Sequence, residues 1–393
     1  MKKLIYVFAL VLLSMASCKK QEEVQQFIIN DSLFQIITVS PDDINKKDRS
    51  KISEFAEGIE YIPLQTSDSI LIGEIKKIIV WDNQYYIWDN LSETIFCFSS
   101  DGKFRYKIYK QGEAPDEYLR ISDFTLDRDN GNVIIYSDMN QTFYEYTQTT
   151  ELVRKTKASF LLSSFATQSN RMHCYIGKLP NMDFYKEIFP ESYRYVTLKN
   201  GKLQNQQLKY KYNESFLRIP LSTNNFTFYG DTILLTEFLA PEVYWIDSLG
   251  NLNPRYRIKF TTNKYIPTFN EDIDLEEMKQ KIKQGELTLL YNGFYETKKY
   301  LFFNFSRGLI GMAYVNKEDG SIHNLGYFLL DDFNQNTLPA SINFMDEEYM
   351  YKIVEPGQLM AKNEKSTYSS YLKNICNNMS ALDNPVMIRI KLK

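Results

Sequence analysis

The chain has 393 residues, of which 44% are hydrophobic and 15% aromatic, enough apolar side chain for a large buried core. The formal net charge is only −3, and lysines and glutamates are interspersed along the chain. Because no basic stripe is present, the composition argues against a nucleic-acid partner.

The first 17 residues are typical of a bacterial lipoprotein signal peptide. A positively charged start is followed by Leu4–Leu13, which is apolar but too short to span a bilayer. Met15–Cys18 then resembles a lipobox, in which the cysteine is acylated and becomes the first residue of the mature protein. The alternative is an ordinary signal peptide cut near Ala16 or Ser17, which would leave Cys18 incidental. We predict lipidation at Cys18 and stable attachment to a membrane, because several acyl chains together anchor a protein firmly.

Residues 18–54 are predicted to form an N-terminal leader outside the fold. The leader begins with the charged tract Lys19–Glu23, which resembles the surface-export signals of some Gram-negative lipoproteins. We therefore expect an outer-membrane lipoprotein of the cell envelope that faces either the periplasm or the cell surface.

A pattern of strand, turn and strand then recurs along the chain. It is clearest in the segments 85–102, 133–151 and 233–250, with a looser copy at 300–320. The copies lie roughly 50 residues apart, which is the period of a β-propeller blade. The sequence therefore predicts an all-β fold, a six-bladed β-propeller of four-stranded antiparallel blades over residues 55–393.

A propeller must close its ring, because an open edge strand promotes aggregation. Ile59–Leu64 precedes the first repeat and Val386–Leu392 ends the last, so we predict that these two strands pair within one blade. One or two short inserted helices are also expected, over residues 272–284 and 367–377, where apolar residues recur at i, i+3 and i+7.

The loop from Lys110 to Tyr118 is the best candidate for a functional site. Glu113, Asp116 and Glu117 place three carboxylates close together in the chain, beside Tyr118. One interpretation is a site for a cation or for sugar hydroxyls at the mouth of the central channel. The other is a rigid crossing between blades, with solvated charges and a packed Tyr118, and we favour this structural interpretation.

Other acidic patterns are interpreted as turns. The segment 127–132 lacks the spacing of an EF-hand calcium loop, whereas its Asn-Gly pair between two strand runs indicates a hairpin with a type I′ turn. Asp89, Asp138 and Glu237 recur after the second strand of their repeats. A ring of such carboxylates would suit a cation, but a role in the turn backbone is the more frequent one.

Cysteine and histidine offer little chemistry. Cys97, Cys174 and Cys376 are far apart and odd in number, which argues against a disulfide framework and a zinc site. His173 and Cys174 are adjacent and point to opposite faces of a strand, so they do not form a nucleophile–base pair, whereas a pairing of His323 with Cys97 or Cys174 stays open. We expect no metal and no cofactor, and motifs for nucleotide binding or serine hydrolysis are absent from the sequence.

Several segments resemble a known family. Tyr61–Thr66 with Leu71–Ile75, the loop Gly112–Tyr118 and the stretch Asn384–Val386 are similar to the opening, an inter-blade loop and the end of six-bladed β-propeller lipoproteins of Gram-negative bacteria, which are related to NHL-type propellers. Two glycines of that family's loop are replaced here. The resemblance covers about residues 55–393 and implies a propeller and an envelope location. It implies no particular activity, since a fold does not by itself give a function.

We therefore expect a non-enzymatic binding or interaction module whose partner is a protein or a glycan at a propeller face. We expect a monomer, held at the membrane by its lipid anchor. The rival hypothesis is a hydrolase or lyase acting on a polysaccharide or peptide, with channel carboxylates about 5–10 Å apart as acid and base. The lack of a concentrated His, Ser or Cys constellation favours binding over catalysis.

Overall fold

Antiparallel pairing of short strands dominates the computed structural model, and most blade strands are buried on both faces because they lie between neighbouring blades. The structure describes residues 31–41, 49–158, 160–177, 193–209, 224–237, 240–263, 275–363 and 368–393. The predicted signal peptide and Cys18 lie outside the described residues. Three strands precede the first repeat: β1 (Gln35–Val39), β2 (Ser50–Lys51) and β3 (Ala56–Pro63).

Five blades follow, each a meander that starts at an inner strand beside the central axis and ends at an outer strand. Blade 1 contains β4 (Ile75–Trp81), β5 (Gln84–Asp89), β6 (Thr94–Ser99) and β7 (Phe104–Ile108). Blade 2 contains β8 (Asp123–Leu126), β9 (Val133–Ser137), β10 (Thr142–Tyr146) and β11 (Leu152–Lys157). Blade 3 contains β12 (Ser164–Gln168), β13 (Arg171–Tyr175), β14 (Tyr193–Lys199) and β15 (Lys202–Lys209).

Blades 4 and 5 are separated by a helix. Blade 4 contains β16 (Phe226–Tyr229), β17 (Thr232–Thr236), β18 (Glu242–Ile246) and β19 (Leu252–Phe260). Helix α1 (Leu275–Lys283) confirms the first predicted helix and ends before Gly285. Blade 5 contains β20 (Leu289–Glu296), β21 (Tyr300–Arg307), β22 (Leu309–Asn316) and β23 (Ile322–Gly326).

The last part of the chain forms two further sheets. A small three-stranded sheet, blade 6, contains β24 (Phe328–Asp331), β25 (Asn336–Pro339) and the N-terminal strand β2. Blade 7 contains β26 (Phe344–Met345), β27 (Tyr349–Val354), β28 (Val386–Leu392) and the N-terminal strand β3. Between β27 and β28 lie helices α2 (Pro356–Asn363) and α3 (Ser370–Asn377); α3 confirms the second predicted helix, whereas α2 was not predicted.

The predicted number of six blades was therefore wrong, because the structure has seven. The additional one is blade 6, whose two consecutive strands are only four residues long. It escapes a repeat search because its third strand, β2, comes from the other end of the chain. The all-β propeller of antiparallel blades with few short helices is confirmed.

Two described segments of the predicted N-terminal leader, residues 31–41 and 49–54, contribute strands to the propeller, although the domain was predicted to begin at residue 55. Strand β1 pairs in parallel with β19 and becomes a fifth strand on blade 4, while β2 pairs in parallel with β24. Each pairing covers the open edge of a sheet, which otherwise exposes a row of unpaired backbone groups.

The predicted closure of the ring is confirmed. Strand β28 pairs antiparallel with β3, with Ile388 opposite Tyr61 and Ile390 opposite Ile59, so the two ends of the chain share blade 7. Next to this closure the buried Asn384 side chain donates to the carbonyl oxygens of Gln65 and Ile70 and accepts from the Ile72 amide. Asn384 thereby fixes the segment that leads from β3 into blade 1.

Six clusters of buried hydrophobic residues lie between neighbouring blades within the described chain. The meander order also assigns every turn to one of two faces. We call the face with the turns between first and second strands the mouth face. We call the opposite face, with the turns between second and third strands and the crossings between blades, the crossing face.

Candidate functional site

A small cavity of about 30 Å³ lies on the propeller axis, enough for one or two water molecules. Its walls come from the inner strands of every blade except blade 6 and from residues that adjoin them. The lining is mixed, with apolar side chains such as Ile79, Leu126 and Phe165 beside Lys77, Thr125 and Thr227. So little space leaves no room for a sugar ring or a peptide inside the channel.

The charges beside this cavity are already paired. Lys77 Nζ donates to Asp123 Oδ1 at 2.7 Å and to the Phe124 carbonyl at 2.8 Å, while Asp123 Oδ2 accepts from the Phe165 amide at 2.9 Å. Burial raises the pKa of the Asp123 carboxyl to about 6, and Lys77 opposes that shift. These contacts join the inner strands of blades 1, 2 and 3, so we assign the pair a structural role.

A larger depression of about 590 Å³ opens on the mouth face. It is built from the turns between the first and second strands of blades 1, 2, 4 and 7, and it shares Arg128, Phe228 and Met345 with the axial cavity. Because these turns converge on the axis, the depression combines side chains that lie far apart in the sequence. Its aromatic members include Trp81, Phe228 and Tyr349.

Arg128 lies at the junction of the two cavities. Its guanidinium carbon is 3.6 Å from the centre of the Phe228 ring, but the side chain makes no hydrogen bond or ion pair with any residue that the structure describes. Burial lowers the pKa of Arg128 to about 10, and Asp231 and Asp346 oppose that shift, so the group is charged at neutral pH. Five N–H donors of a half-buried cation are thus available to an acceptor from outside.

Several carboxylates line the depression without pairing to Arg128. Asp346 is used internally, since its oxygens accept from the amides of Glu348 and Tyr349 and from the Tyr351 hydroxyl. The side chains of Asp82, Glu347 and Glu348 are exposed and have no hydrogen-bond or ion-pair partner within the described ranges. Among the described residues, the depression therefore offers one free guanidinium, three free carboxylates and aromatic side chains.

Most of the chain matches one protein family. Residues 34–391 match the model of a family described as a domain of unknown function, DUF4934. The chain belongs to the DUF4934 family. No functionally curated protein matches the sequence.

Two solved structures resemble this DUF4934 chain. One is a protein of Bacteroides fragilis NCTC 9343 named only for its inferred export, with 14% identity and a TM-score of 0.70 over 91% of this chain and 100% of that one. The other is a DUF4221 family member of Bacteroides vulgatus ATCC 8482, with 12% identity and a TM-score of 0.51 over 86% of this chain and 97% of that one. At such low identity the likeness concerns the fold alone.

The predicted loop site of this DUF4934 chain lies away from both cavities. Tyr118 is fully buried, and its hydroxyl donates to the Glu93 carbonyl at 2.7 Å. Glu117 is half-buried and accepts from the Ala114 amide at 2.9 Å, while Glu113 and Asp116 are exposed. The loop backbone is fixed to the outer half of blade 2, because Tyr146 and Lys155 donate to the carbonyl oxygens of residues 116 and 115. These contacts agree with the structural interpretation and place the loop on the crossing face.

The repeated acidic residues do not come together, and the predicted turn role holds for Asp89 alone, because the Asp138 and Glu237 side chains are in ion pairs. Asp89 accepts from the amides of Gly73, Glu74 and Leu91. Asp138 pairs with Arg120, and Glu237 with Arg194. Within the described ranges, His, Cys, Asp and Glu side chains form no group of three or more that is suited to a metal ion.

The histidines and cysteines are structural. His173 Nδ1 is 2.9 Å from the Tyr195 hydroxyl, and burial lowers the pKa of this histidine to about 4. His323 stacks on Tyr314 and bonds to Ser321, so it pairs with neither Cys97 nor Cys174, which are fully buried.

Among the helices that the structure describes, none is long and apolar enough to cross a membrane.

Sequence reasoning missed the central residue of the depression. Arg128 lies in the segment 127–132, which was interpreted only as a hairpin. The hairpin itself is confirmed, with Leu126 opposite Val133, but the loop is longer than a type I′ turn and only Gly131 has a positive φ. An arginine two residues after an inner strand was the one local signal, since the turns that follow inner strands lie close to the propeller axis.

Proposed function

We propose that this chain is a non-enzymatic binding module of the bacterial cell envelope that takes a neutral, polyhydroxylated ligand, a glycan, into the depression on the mouth face. The observation that carries the proposal is the unpartnered Arg128 guanidinium beside free carboxylates. The guanidinium donors of this half-buried side chain face the depression, where a ligand acceptor can take the place of solvent.

Charge decides the ligand class. An anionic ligand would be attracted by Arg128 but repelled by the free carboxylates of Asp82, Glu347 and Glu348. A cationic ligand would be attracted by these carboxylates but repelled by Arg128. Hydroxyl groups both donate and accept, so vicinal hydroxyls satisfy the guanidinium and the carboxylates together. The partly exposed Trp81 is the aromatic side chain of the lining that suits the apolar face of a sugar ring, since Phe228 and Tyr349 have Arg128 and Arg389 over their rings.

Binding is favoured over hydrolysis inside the channel by the geometry of the axis. The axial cavity holds one or two waters, and the carboxylate beside it, Asp123, has both oxygens engaged. A glycosidase needs two carboxyl groups flanking a bound sugar. The depression, with its wide opening, suits capture of a ligand segment.

The envelope location rests on the signal-peptide pattern and the predicted acylation of Cys18, together with the exported B. fragilis protein that shares the fold. We place the protein at the outer membrane as a lipoprotein, facing the periplasm or the cell surface.

Binding of a panel of neutral oligosaccharides, measured by calorimetry, tests the proposal. We expect Arg128→Ala to weaken binding at least tenfold, or about 1.4 kcal/mol, because the guanidinium is the central donor. Arg128→Lys should restore only part of the affinity, since an ammonium lacks the planar fork of donors. Arg105→Ala, which removes an exposed arginine from β7, is the matched control and should leave binding unchanged.

Three outcomes of the same experiment can overturn the proposal. A sulfated or uronate polymer that binds more tightly than every neutral glycan would reverse the assignment of ligand class. Neutral glycan binding that survives Arg128→Ala would place the site elsewhere. A glycan that is cleaved during the titration would support the enzymatic alternative.

A further inference from the structure

The leader contacts several neighbouring blades before it reaches the closing strand. We call its described residues 34–41 and 49–55 the clasp. Along the chain, the clasp pairs with blade 4 through β1, bonds to blade 5 through residues 40 and 41, and pairs with blade 6 through β2. It then continues directly into β3 of blade 7. One continuous chain therefore connects three blades to the strand that closes the ring.

Strand β1 is packed on blade 4 by one of its two faces. It pairs in parallel with β19 over five residue pairs, and the Val39 carbonyl accepts from the Thr261 amide at 2.9 Å. Ile37 and Val39 are 5% and 1% exposed, whereas Ile36 between them and the solvent side is 46% exposed. The inward face of β1 thus buries apolar surface among residues of blades 4 and 5, which stabilises its docking.

The rest of the clasp is bonded to blades 5 and 6. The Ser40 carbonyl accepts from an asparagine side chain of β23 at 3.1 Å. Ser53 donates to the Asp332 carboxylate through its amide at 3.1 Å and its hydroxyl at 2.6 Å, next to β24. Phe55 is fully buried, and the centre of its ring lies 5.5 Å from that of Phe302 on blade 5. The leader is therefore fixed to blades 4, 5 and 6 up to the residue before β3.

The ring itself is closed by non-covalent contacts. Strand β3 pairs with β28, and the Lys393 amide donates to the Phe55 carbonyl at 3.1 Å. Because β3 leads into blade 1, its separation from β28 would part blade 7 from blade 1 and open the ring. When the clasp is docked, a wide opening also requires β2 and β1 to leave blades 6 and 4.

We propose that the clasp is a second closure of the ring, which keeps β3 paired with β28 by holding the chain just before β3 on blades 4, 5 and 6. A short tether keeps a detached strand at a high effective concentration beside its partner, so brief separations reverse. The local alternative is that β1 and β2 only cover the edges of their own sheets. The two roles differ in reach, because a second closure protects blade 7 from a distance.

This closure bears on the mouth face and on the predicted anchor. Arg389 of β28 lines the depression, and its Nη2 donates to Glu60 Oε2 of β3 at 2.6 Å, so ring closure also fixes this wall of the depression. A pull on an acylated Cys18 would reach β1 before β3, since β1 comes first in the chain. The clasp would then bear the load while the closing strands stay paired.

Hydrogen–deuterium exchange of the chain from Lys19 onward, which keeps every described strand, tests the proposal. The variant Ile37→Asp, Val39→Asp places two carboxylates on the buried face of β1. We expect exchange in segment 386–392 of blade 7 to become at least about tenfold faster, with a smaller change in segment 133–137 of blade 2. The matched control Ile36→Asp, Thr38→Asp changes the exposed face of the same strand and should leave both segments unchanged.

Three outcomes would overturn the inference. Faster exchange confined to segment 252–260 would show that β1 only covers the edge of blade 4. An equal increase in segments 133–137 and 386–392 would show a general loss of stability, and no change in any segment would exclude a contribution from β1. If the double variant does not fold, the milder Val39→Ala, with Thr38→Ala as its control, should give the same pattern with a smaller increase. No outcome depends on a glycan, so this inference and the proposed function fail independently.

Discussion

Lys77 and Asp123 meet across the gap between blades 1 and 2, with 2.7 Å between the ammonium nitrogen and the carboxylate oxygen. Both side chains are at least nine-tenths buried, and the second carboxylate oxygen accepts from the backbone of blade 3. One carboxylate thereby links three inner strands where they line the axis. Blade-to-blade register at the centre of the disc depends on this pair as well as on apolar packing.

Breaking this pair should be costly. Lys77→Met leaves the Asp123 carboxylate buried without its counterion, and we expect a loss of about 3–5 kcal/mol in the free energy of unfolding. Urea denaturation measures the change. Lys76→Met, an exposed neighbour in the same strand, is the control and should stay within about 0.5 kcal/mol of the wild type. Equal effects at the two positions would contradict a role for the pair.

Stability should depend on pH through Asp123. Burial raises the pKa of this carboxyl from 3.8 to about 6 in the folded protein. The folded state therefore holds the proton more tightly than the unfolded state, so this contribution is full below about pH 4 and is lost as the pH rises through about 6. The unfolding free energy of the wild type minus that of Asp123→Asn should fall between pH 4 and 7. A difference that rises with pH would show that the Lys77 attraction outweighs burial.

Gly102 is required where the first blade meets the closing strand. Its φ is +82°, and a Cβ atom there would lie 2.3 Å from the Pro63 carbonyl oxygen, at the end of β3. Gly102→Ala should therefore cost more than about 2 kcal/mol, because backbone strain and a backbone clash add together. Gly320→Ala, with a φ of +72° and open space around it, isolates the strain alone and should cost only about 1 kcal/mol. Thermal denaturation of the two variants separates the two effects.

The loop at Tyr118 should respond to mutation as a structural element. Tyr118→Phe removes the buried hydroxyl that bonds to the Glu93 carbonyl and the Lys110 amide, which should cost about 1–3 kcal/mol. Glu117→Ala removes one partly exposed bond and should cost less than about 1 kcal/mol. Neither change should alter glycan affinity, which calorimetry checks. Weaker binding by a stable Glu117→Ala variant would show that the glycan binds at this loop.

Cys18→Ala should release the protein from membranes into the soluble fraction, because it removes the predicted acylation site. Incorporation of labelled palmitate in cells is the measurement, with Cys376→Ala as the control that keeps the acylation site. Palmitate incorporation that persists in Cys18→Ala would exclude this lipidation site.

Local patterns in the sequence were sufficient for most single elements. The hairpin of β8 and β9 follows from turn residues between two apolar runs, and helix α1 follows from its spacing of apolar residues. The pairing of β28 with β3 followed from a general requirement, the closure of the ring. Such features depend on neighbours in the chain or on the topology of the whole fold.

The candidate site could not be predicted in this way. Arg128 and Phe228 are one hundred positions apart, and they stack only because the inner strands of blades 2 and 4 converge on one axis. The predicted carboxylates of Glu113, Asp116 and Glu117 are close in sequence but lie on an outer crossing. The carboxylates that are close in the chain therefore belong to a rigid loop, whereas the residues that line the depression are close only in space.

The sequence by itself determined that this chain forms a closed propeller of antiparallel blades, because apolar strand runs separated by turns and repeated about every 50 residues are visible in the chain itself. Only the tertiary structure decided that there are seven blades, that β1 and β2 join blades 4 and 6, and that the free guanidinium of Arg128 faces a depression. The physical reason is that an apolar run indicates that a strand is buried, but not which distant strand it pairs with. Those choices depend on long-range pairing, which no short stretch of sequence encodes.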